Sequence, residues 1–274
     1  MKIAAPRNSR IARHRRNLKR LVRELTERPL DLLPERSLDC LNQFINGYGV
    51  FGLPVWRDLL SFEFWLAERL YYPKDTGARW WRIIQLNSKD ECDGYETFCR
   101  LYSRYSRRAP IEIQPTAPDH IFEPAQFDFY QHLYGISRKP GMYLGPGDRV
   151  QLIASYLAGY FRGKKDAQLA LTNDEKEFFR FEGWLRRYHK FAKRYPWYRL
   201  VEMWPRGLNS VQSFFAEYDA YLTDFGKKPR GLEDLFEVVT LQKGCTTIRR
   251  RRKLPKEVMR STQPAVWWRS TANR

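Results

Sequence analysis

The sequence predicts a mainly α protein: two tandem, duplicated helical units flanked by basic N- and C-terminal extensions. Three observations predict it. Apolar and aromatic residues recur at three- and four-residue spacing through most of the chain. One ordered set of blocks occurs twice. The net charge of +18 over 274 residues sits at the ends: residues 1–28 hold ten Lys/Arg against two Glu, residues 226–274 hold thirteen against four acids, and residues 29–225 carry the remaining +1. The expected organisation is a basic helix over 1–28, unit one over 29–105, a linker with a short helix over 106–138, unit two over 139–225, and a basic extension over 226–274.

The repeat is anchored on Gly47-Tyr48 and Gly159-Tyr160, each closing an apolar segment that follows a basic residue and proline, Arg28-Pro29 and Lys139-Pro140. Downstream, Phe62-Glu63-Phe64-Trp65-Leu66 matches Phe181-Glu182-Gly183-Trp184-Leu185. Trp80-Trp81-Arg82-Ile83-Ile84 matches Trp197-Tyr198-Arg199-Leu200-Val201. Tyr95, Phe98, Tyr102 and Tyr105 match Val211, Phe214, Tyr218 and Tyr221. A single long period of this kind signals paired units, since a solenoid needs three or more short repeats.

In chain order, residues 9–27 place Ile11, Leu18, Leu21, Val22 and Leu25 on a narrow apolar stripe opposite a basic face. They are read as a docking helix, with contact to nucleic acid or an anionic lipid surface as the sharper alternative. Pro29 ends it. Ser37 is positioned to cap a helix carrying Leu38, Leu41, Phe44 and Ile45. Gly47 and Gly49 then serve either a left-handed cap or a close backbone approach. A second helix is expected from Val55 to Tyr71, and a third helix or a short strand over Trp80–Leu86. A fourth helix from Asp90 to Tyr105 carries its rings on one face, a pattern read as core. Residues 106–124 hold four prolines and form the linker. A short helix over Ala125–Leu133 precedes unit two.

In unit two, Gly141, Gly145 and Gly147 are expected to form a turn before a helix from Asp148, its N-cap, to Tyr160. Thr172 and Glu175 have capping-box spacing at the head of a helix running to Arg194. A last helix spans Ser210–Leu222. Leu232–Thr240 is a candidate short helix, and Trp267-Trp268 are candidate docking residues.

Composition excludes several classes. Hydrophobic residues at 43% and aromatics at 15% are those of a globular protein. No apolar run approaches the roughly 20 residues a bilayer span needs, and no secretory h-region is present, so a cytoplasmic location is expected. Four cysteines without a C-x-x-C pair fit reduced thiols. The four histidines show no zinc spacing. No cofactor, metal or catalytic residue is assigned, and no enzymatic activity is expected. Glu63 and Glu182, matched in the repeat, are expected to pair with Arg82 and Arg199. Candidate partner-binding residues are Tyr48, Tyr143, Tyr160, Trp267 and Trp268. Candidate anion-binding residues are Arg13, Arg15, Arg16, Lys19, Arg20, Arg249, Arg250, Arg251, Arg252 and Lys253.

Pro140-Gly-Met-Tyr-Leu-Gly145 is similar to the PGMYIG stretch of type II topoisomerase ATPase subunits, but the nucleotide motifs that follow in that family have no counterpart here. The longer pattern has the same loop, a helix ending Gly159-Tyr160, an aromatic helix with Trp184 and a Tyr/Phe helix. It resembles a group of small bacterial proteins encoded beside polymorphic toxins and taken to be immunity proteins. The resemblance covers about residues 139–222 well and 28–105 loosely. It implies a non-catalytic module that binds and blocks a cognate toxin. The rival expectation is a nucleic-acid-associated protein that holds phosphate through its two basic ends.

Overall fold

The computed structural model describes residues 19–51, 53–73, 78–108, 128–145, 147–205 and 209–226. The chain divides into two units, Met1–Pro229 and Arg230–Arg274, and every described residue belongs to the first. Among the described residues the regular structure is helical, with no strand. Helix α1 covers 19–27 and is followed by a 3-10 turn, Pro29–Asp31. Then come α2 (Leu38–Gly49), α3 (Leu53–Arg69), α4 (Trp80–Leu86) and α5 (Glu91–Ser106). After residues 109–127 follow α6 (Phe129–Arg138), α7 (Pro140–Leu144), α8 (Val150–Asp166), α9 (Asn173–Tyr188), α10 (Trp197–Met203) and α11 (Ser210–Asp224).

Short polar side chains start these helices by accepting from otherwise unpaired first-turn amides. Ser37 Oγ accepts from the Cys40 amide, Asp90 from Asp93, Asp128 from Tyr130 and Gln131, and Asn209 from Gln212. Thr172 and Glu175 form a reciprocal capping box. Asp148 does not cap α8, which begins two residues later behind Arg149. Asp148 instead accepts from Asn209 Nδ2 at 2.7 Å. The expected turn over Gly141–Gly147 is replaced by α7. Proline at its first position loses no hydrogen bond, and α7 closes at Gly145, where φ is +73°.

Helix ends are set by backbone closure and not by the apolar period. α9 stops at Tyr188, ahead of Tyr195-Pro196, because Lys190 takes φ +58° and the Phe191 amide reaches back to the Arg186 carbonyl at 2.9 Å. α3 ends the same way, with Tyr71 at φ +52° and Tyr72 N bonded to Ala67 O at 2.8 Å. This is the closure of a Schellman motif. The short helix expected over Ala125–Leu133 begins at Phe129, and α10 has no counterpart among the expected helices.

Two aromatic clusters fill the body with the same contacts. Phe62 lies 5.3 Å from Tyr102 and 5.4 Å from Tyr105. Phe181 lies 5.1 Å from Tyr218 and 5.5 Å from Tyr221. Trp80 meets Phe98 at 4.9 Å, and Trp197 meets Phe214 at 4.9 Å. Tyr105 Oη bonds the Asp58 carbonyl and carboxylate, and Tyr221 Oη bonds the same two groups of Glu177. Rings of this size contribute both buried area and edge-to-face attraction.

The two clusters meet through α2 and α8, the most extensive helix pair. Glycine makes this crossing possible. A Cβ at Gly47 would overlap the Tyr156 carbonyl oxygen and stand 2.9 Å from the Tyr160 amide nitrogen. A Cβ at Gly159 would overlap the Phe44 carbonyl oxygen and stand 2.9 Å from the Tyr48 amide nitrogen. A Cβ at Gly163 would stand 2.6 Å from the Tyr48 carbonyl oxygen. The glycines therefore serve backbone approach, and α2 ends in the αR region at Val50 with no left-handed cap.

Candidate functional site

A groove of about 300 Å³ opens between α2, α4 and the α7 turn. Its floor is the face of α2 that carries Asp39, Asn42, Gln43 and Asn46. Its walls are Trp81 and residues 141–145. Tyr143 fixes the α7 wall by lying across Gly135, where any side chain would meet its hydroxyl at 3.0 Å, and by packing edge-on against His132. Met142 stands at the rim, 74% exposed. The walls are apolar and the floor is polar, which suits an amphipathic ligand.

The floor is chemically specific. Gln43 is only 2% exposed and Asn42 only 9%. Asn46 Nδ2 donates to Gln43 Oε1 at 3.4 Å. Among the described residues no group bonds Gln43 Nε2 or the Asn42 amide. Both amides belong to largely buried side chains whose tips still reach the groove, so they present donors and acceptors to whatever occupies it.

One end of the groove is acidic. Asp39 faces Glu91, Glu35 and one guanidinium, Arg149. Arg149 bonds Glu35 at 2.7 Å and Asp39 at 3.4 Å, while Glu91 accepts from the Asp39 amide at 2.9 Å. Burial, joined by repulsion from Glu91, raises the Asp39 pKa above the ordinary carboxylate value against the pull of Arg149.

Of the tyrosines expected to meet a partner, only Tyr143 lines the groove. Tyr160 is 0% and Tyr48 4% exposed, which corrects their reading as contact residues. Tyr160 bonds the Glu175 carboxylate, and Tyr48 donates to Asp166 at 3.0 Å. Both tyrosines follow the crossing glycines: Tyr48 ties α2 to the C-terminal end of α8, and Tyr160 ties α8 to α9. Lys19 donates to the Ser106 carbonyl at 2.6 Å, and Arg20 pairs with Glu24 and Asp166. Arg162 bonds both of those carboxylates, so Arg20 belongs to an internal ion network. Arg13, Arg15, Arg16, Arg249, Arg250, Arg251, Arg252, Lys253, Trp267 and Trp268 lie outside the described residues, as does the candidate helix Leu232–Thr240.

Glu63 and Glu182 do not pair with Arg82 and Arg199. Glu63 accepts from the Trp80 amide at 2.8 Å with Arg79 at 3.8 Å, and Glu182 accepts from the Trp197 amide at 3.3 Å. Each acid thus caps the short helix that follows its own. Arg82 bonds Gln85, and Arg199 bonds Glu202. His132 is held neutral, its pKa lowered to about 4 by burial, and bonds Tyr156 Oη. His189 lies 3.2 Å from the buried Glu217 carboxylate. Among the described residues no group of three or more His, Cys, Asp or Glu side chains is placed to hold a metal ion, and no helix is long and apolar enough to cross a membrane.

The amides of the groove floor escaped the sequence reading because they sit between the apolar residues that define α2 as amphipathic. Their clustering at 42, 43 and 46 on one helix was the available signal. No family model, curated protein or solved structure matches the chain.

Proposed function

We propose that this chain is a non-catalytic protein-binding module, an immunity protein that neutralises a cognate bacterial toxin in the cytoplasm. The observation that carries the reading is the groove: a fixed α7 wall, an exposed Met142 at the rim and unpartnered amides beneath. Flexible, polarizable methionine beside aromatic walls is a recurrent feature of protein-recognition surfaces. The residues that carry the resemblance to toxin-associated immunity proteins, Pro140–Gly145 and Gly159-Tyr160, are those that build α7 and the glycine crossing. The ring-by-ring recurrence of contacts supports a second part of the proposal, that the body arose by duplication of one helical unit.

The test is co-expression with each neighbouring open reading frame of the native genome. Rescue of growth from one that kills when expressed alone, with recovery of a binary complex after nuclease treatment, is the expected result. Absence of rescue by any of them sinks the reading. The concentration of charge in residues 1–28 and 226–274 favours a second reading, binding of nucleic acid by the ends. That reading requires retention that falls steeply with salt and disappears when both ends are deleted.

A further inference from the structure

We propose that the groove between α2, α4 and α7 seats an extended segment of a partner polypeptide. In this complex the amides of Asn42, Gln43 and Asn46 bond its main chain, a basic side chain lies at the Asp39 end, and an apolar one lies against Trp81 and Met142. The proposal deepens the protein-binding reading and rests on it.

The amides identify the ligand group. A carboxamide carries both donor and acceptor whichever way it is turned, which is the complement of a peptide unit. Asn42 and Gln43 line the groove, and among the described residues neither Gln43 Nε2 nor the Asn42 amide has a hydrogen-bond partner. Spacing supports an extended chain. Asn42 and Asn46 stand one turn apart, about 6 Å along the helix axis. An extended peptide presents N–H and C=O to the same side every second residue, about 6.6 Å. From Asp39 to Asn46 the floor runs about 10 Å, the length of three extended residues, and the groove volume fits such a segment.

The second half of the molecule separates function from packing. With Gly47 aligned on Gly159, the positions of Asp39, Asn42, Gln43 and Asn46 on α2 correspond to Gln151, Ala154, Ser155 and Ala158 on α8. On the α8 side of this one crossing, small residues stand where α2 carries carboxamides, so close backbone approach is made on that side without amides. Charge fixes the polarity of the occupant. Three carboxylates, Asp39, Glu35 and Glu91, surround one guanidinium, leaving a local excess of negative charge for a cationic side chain.

The experiment is fluorescence anisotropy of the full-length protein with fluorescein-labelled, amidated hexapeptides. Each has one lysine and one leucine at varied separation in a serine/threonine background. Saturable binding of at least one peptide is expected, weakened about tenfold when glutamate replaces lysine. N-methylation of two alternate peptide amides should weaken it about tenfold, as should Asn42→Leu or Gln43→Met with the circular dichroism of the parent. N-methylation changes the ligand alone, so this arm does not depend on how a variant folds. No saturable binding, or binding indifferent to N-methylation, overturns the inference. If a toxin is neutralised while no peptide binds, the groove inference fails and the immunity reading stands. If peptides bind in the amide-dependent way while no toxin is neutralised, the reverse holds.

Discussion

Replacing Gly159 with alanine tests the crossing directly. Two effects oppose each other. Alanine favours the helix by about 1 kcal/mol over glycine. Against that, the new carbon overlaps the Phe44 carbonyl oxygen and sits 2.8 Å from its carbon and 2.9 Å from the Tyr48 nitrogen. Those atoms are backbone, so no rotamer change relieves the overlap and the helices must separate. Overpacking costs about 1–3 kcal/mol, and an obstacle made of main chain belongs at the upper end. The net is a destabilisation of about 2 kcal/mol. With a urea slope of roughly 2–3 kcal/mol/M, the midpoint should fall by about 0.8 M at unchanged slope. Gly141→Ala is the control, because nothing lies within 4 Å of a Cβ there; it should be neutral or slightly stabilising. Gly47→Ala should match Gly159→Ala. The double variant should cost less than the sum, since helices parted by one methyl already accommodate part of the other. A Gly159→Ala protein as stable as the parent would refute the account of the crossing.

Other perturbations probe the charged groups. Glu63→Ala and Glu182→Ala each strip the acceptor from a helix-starting amide and should cost about 1 kcal/mol apiece in urea denaturation, with Gln substitutions costing less. Lys164→Met leaves the buried Glu175 carboxylate without its cation and should cost about 3–5 kcal/mol. Burial opposes ionisation of Glu175, but hydrogen bonds from Lys164, Tyr160 and the Thr172 amide outweigh it and lower its pKa. Its contribution is therefore complete above the unfolded pKa and is lost as pH falls through the lower folded value. Stability measured from pH 6 down to pH 3 should show that acid loss in the parent and lack it in Lys164→Met. His132 acts at higher pH. Its folded pKa of about 4 lies below the ordinary 6.5, so the unfolded chain takes up a proton first as pH falls through 6.5 toward 4. Stability should decline there by up to about 1.4 kcal/mol per pH unit, and His132→Gln should flatten that slope.

What the sequence made legible was local. The Ser37 cap and the Thr172–Glu175 box need only residues three apart. The ring stripes on α5, α9 and α11 need only a 3.6-residue period. At Gly47 the pattern allows a left-handed cap or a close backbone approach, and the fold uses the second. What escaped depends on the third dimension. A tyrosine after a glycine looks the same whether it faces solvent or a neighbouring helix, so the pattern does not reveal that Tyr48 and Tyr160 are buried. An acid beside tryptophan suggests a partner of opposite charge, yet Glu63 and Glu182 bond backbone amides across a loop. The groove depends on α7, whose proline and glycine composition reads as a turn until Tyr143 is seen packed on Gly135.

The reciprocal contact at the centre of the body is isologous in character, the kind a twofold dimer makes with itself. Here the two sides are on one chain, so neither has to wait for a second molecule. A homodimer built on such a contact would pair in proportion to its concentration. In such a pair every substitution appears twice, on both sides of the axis. On one chain the two faces change separately. That freedom lets α2 carry carboxamides at Asn42, Gln43 and Asn46 while α8 keeps Ala154, Ser155 and Ala158 on its side of the contact.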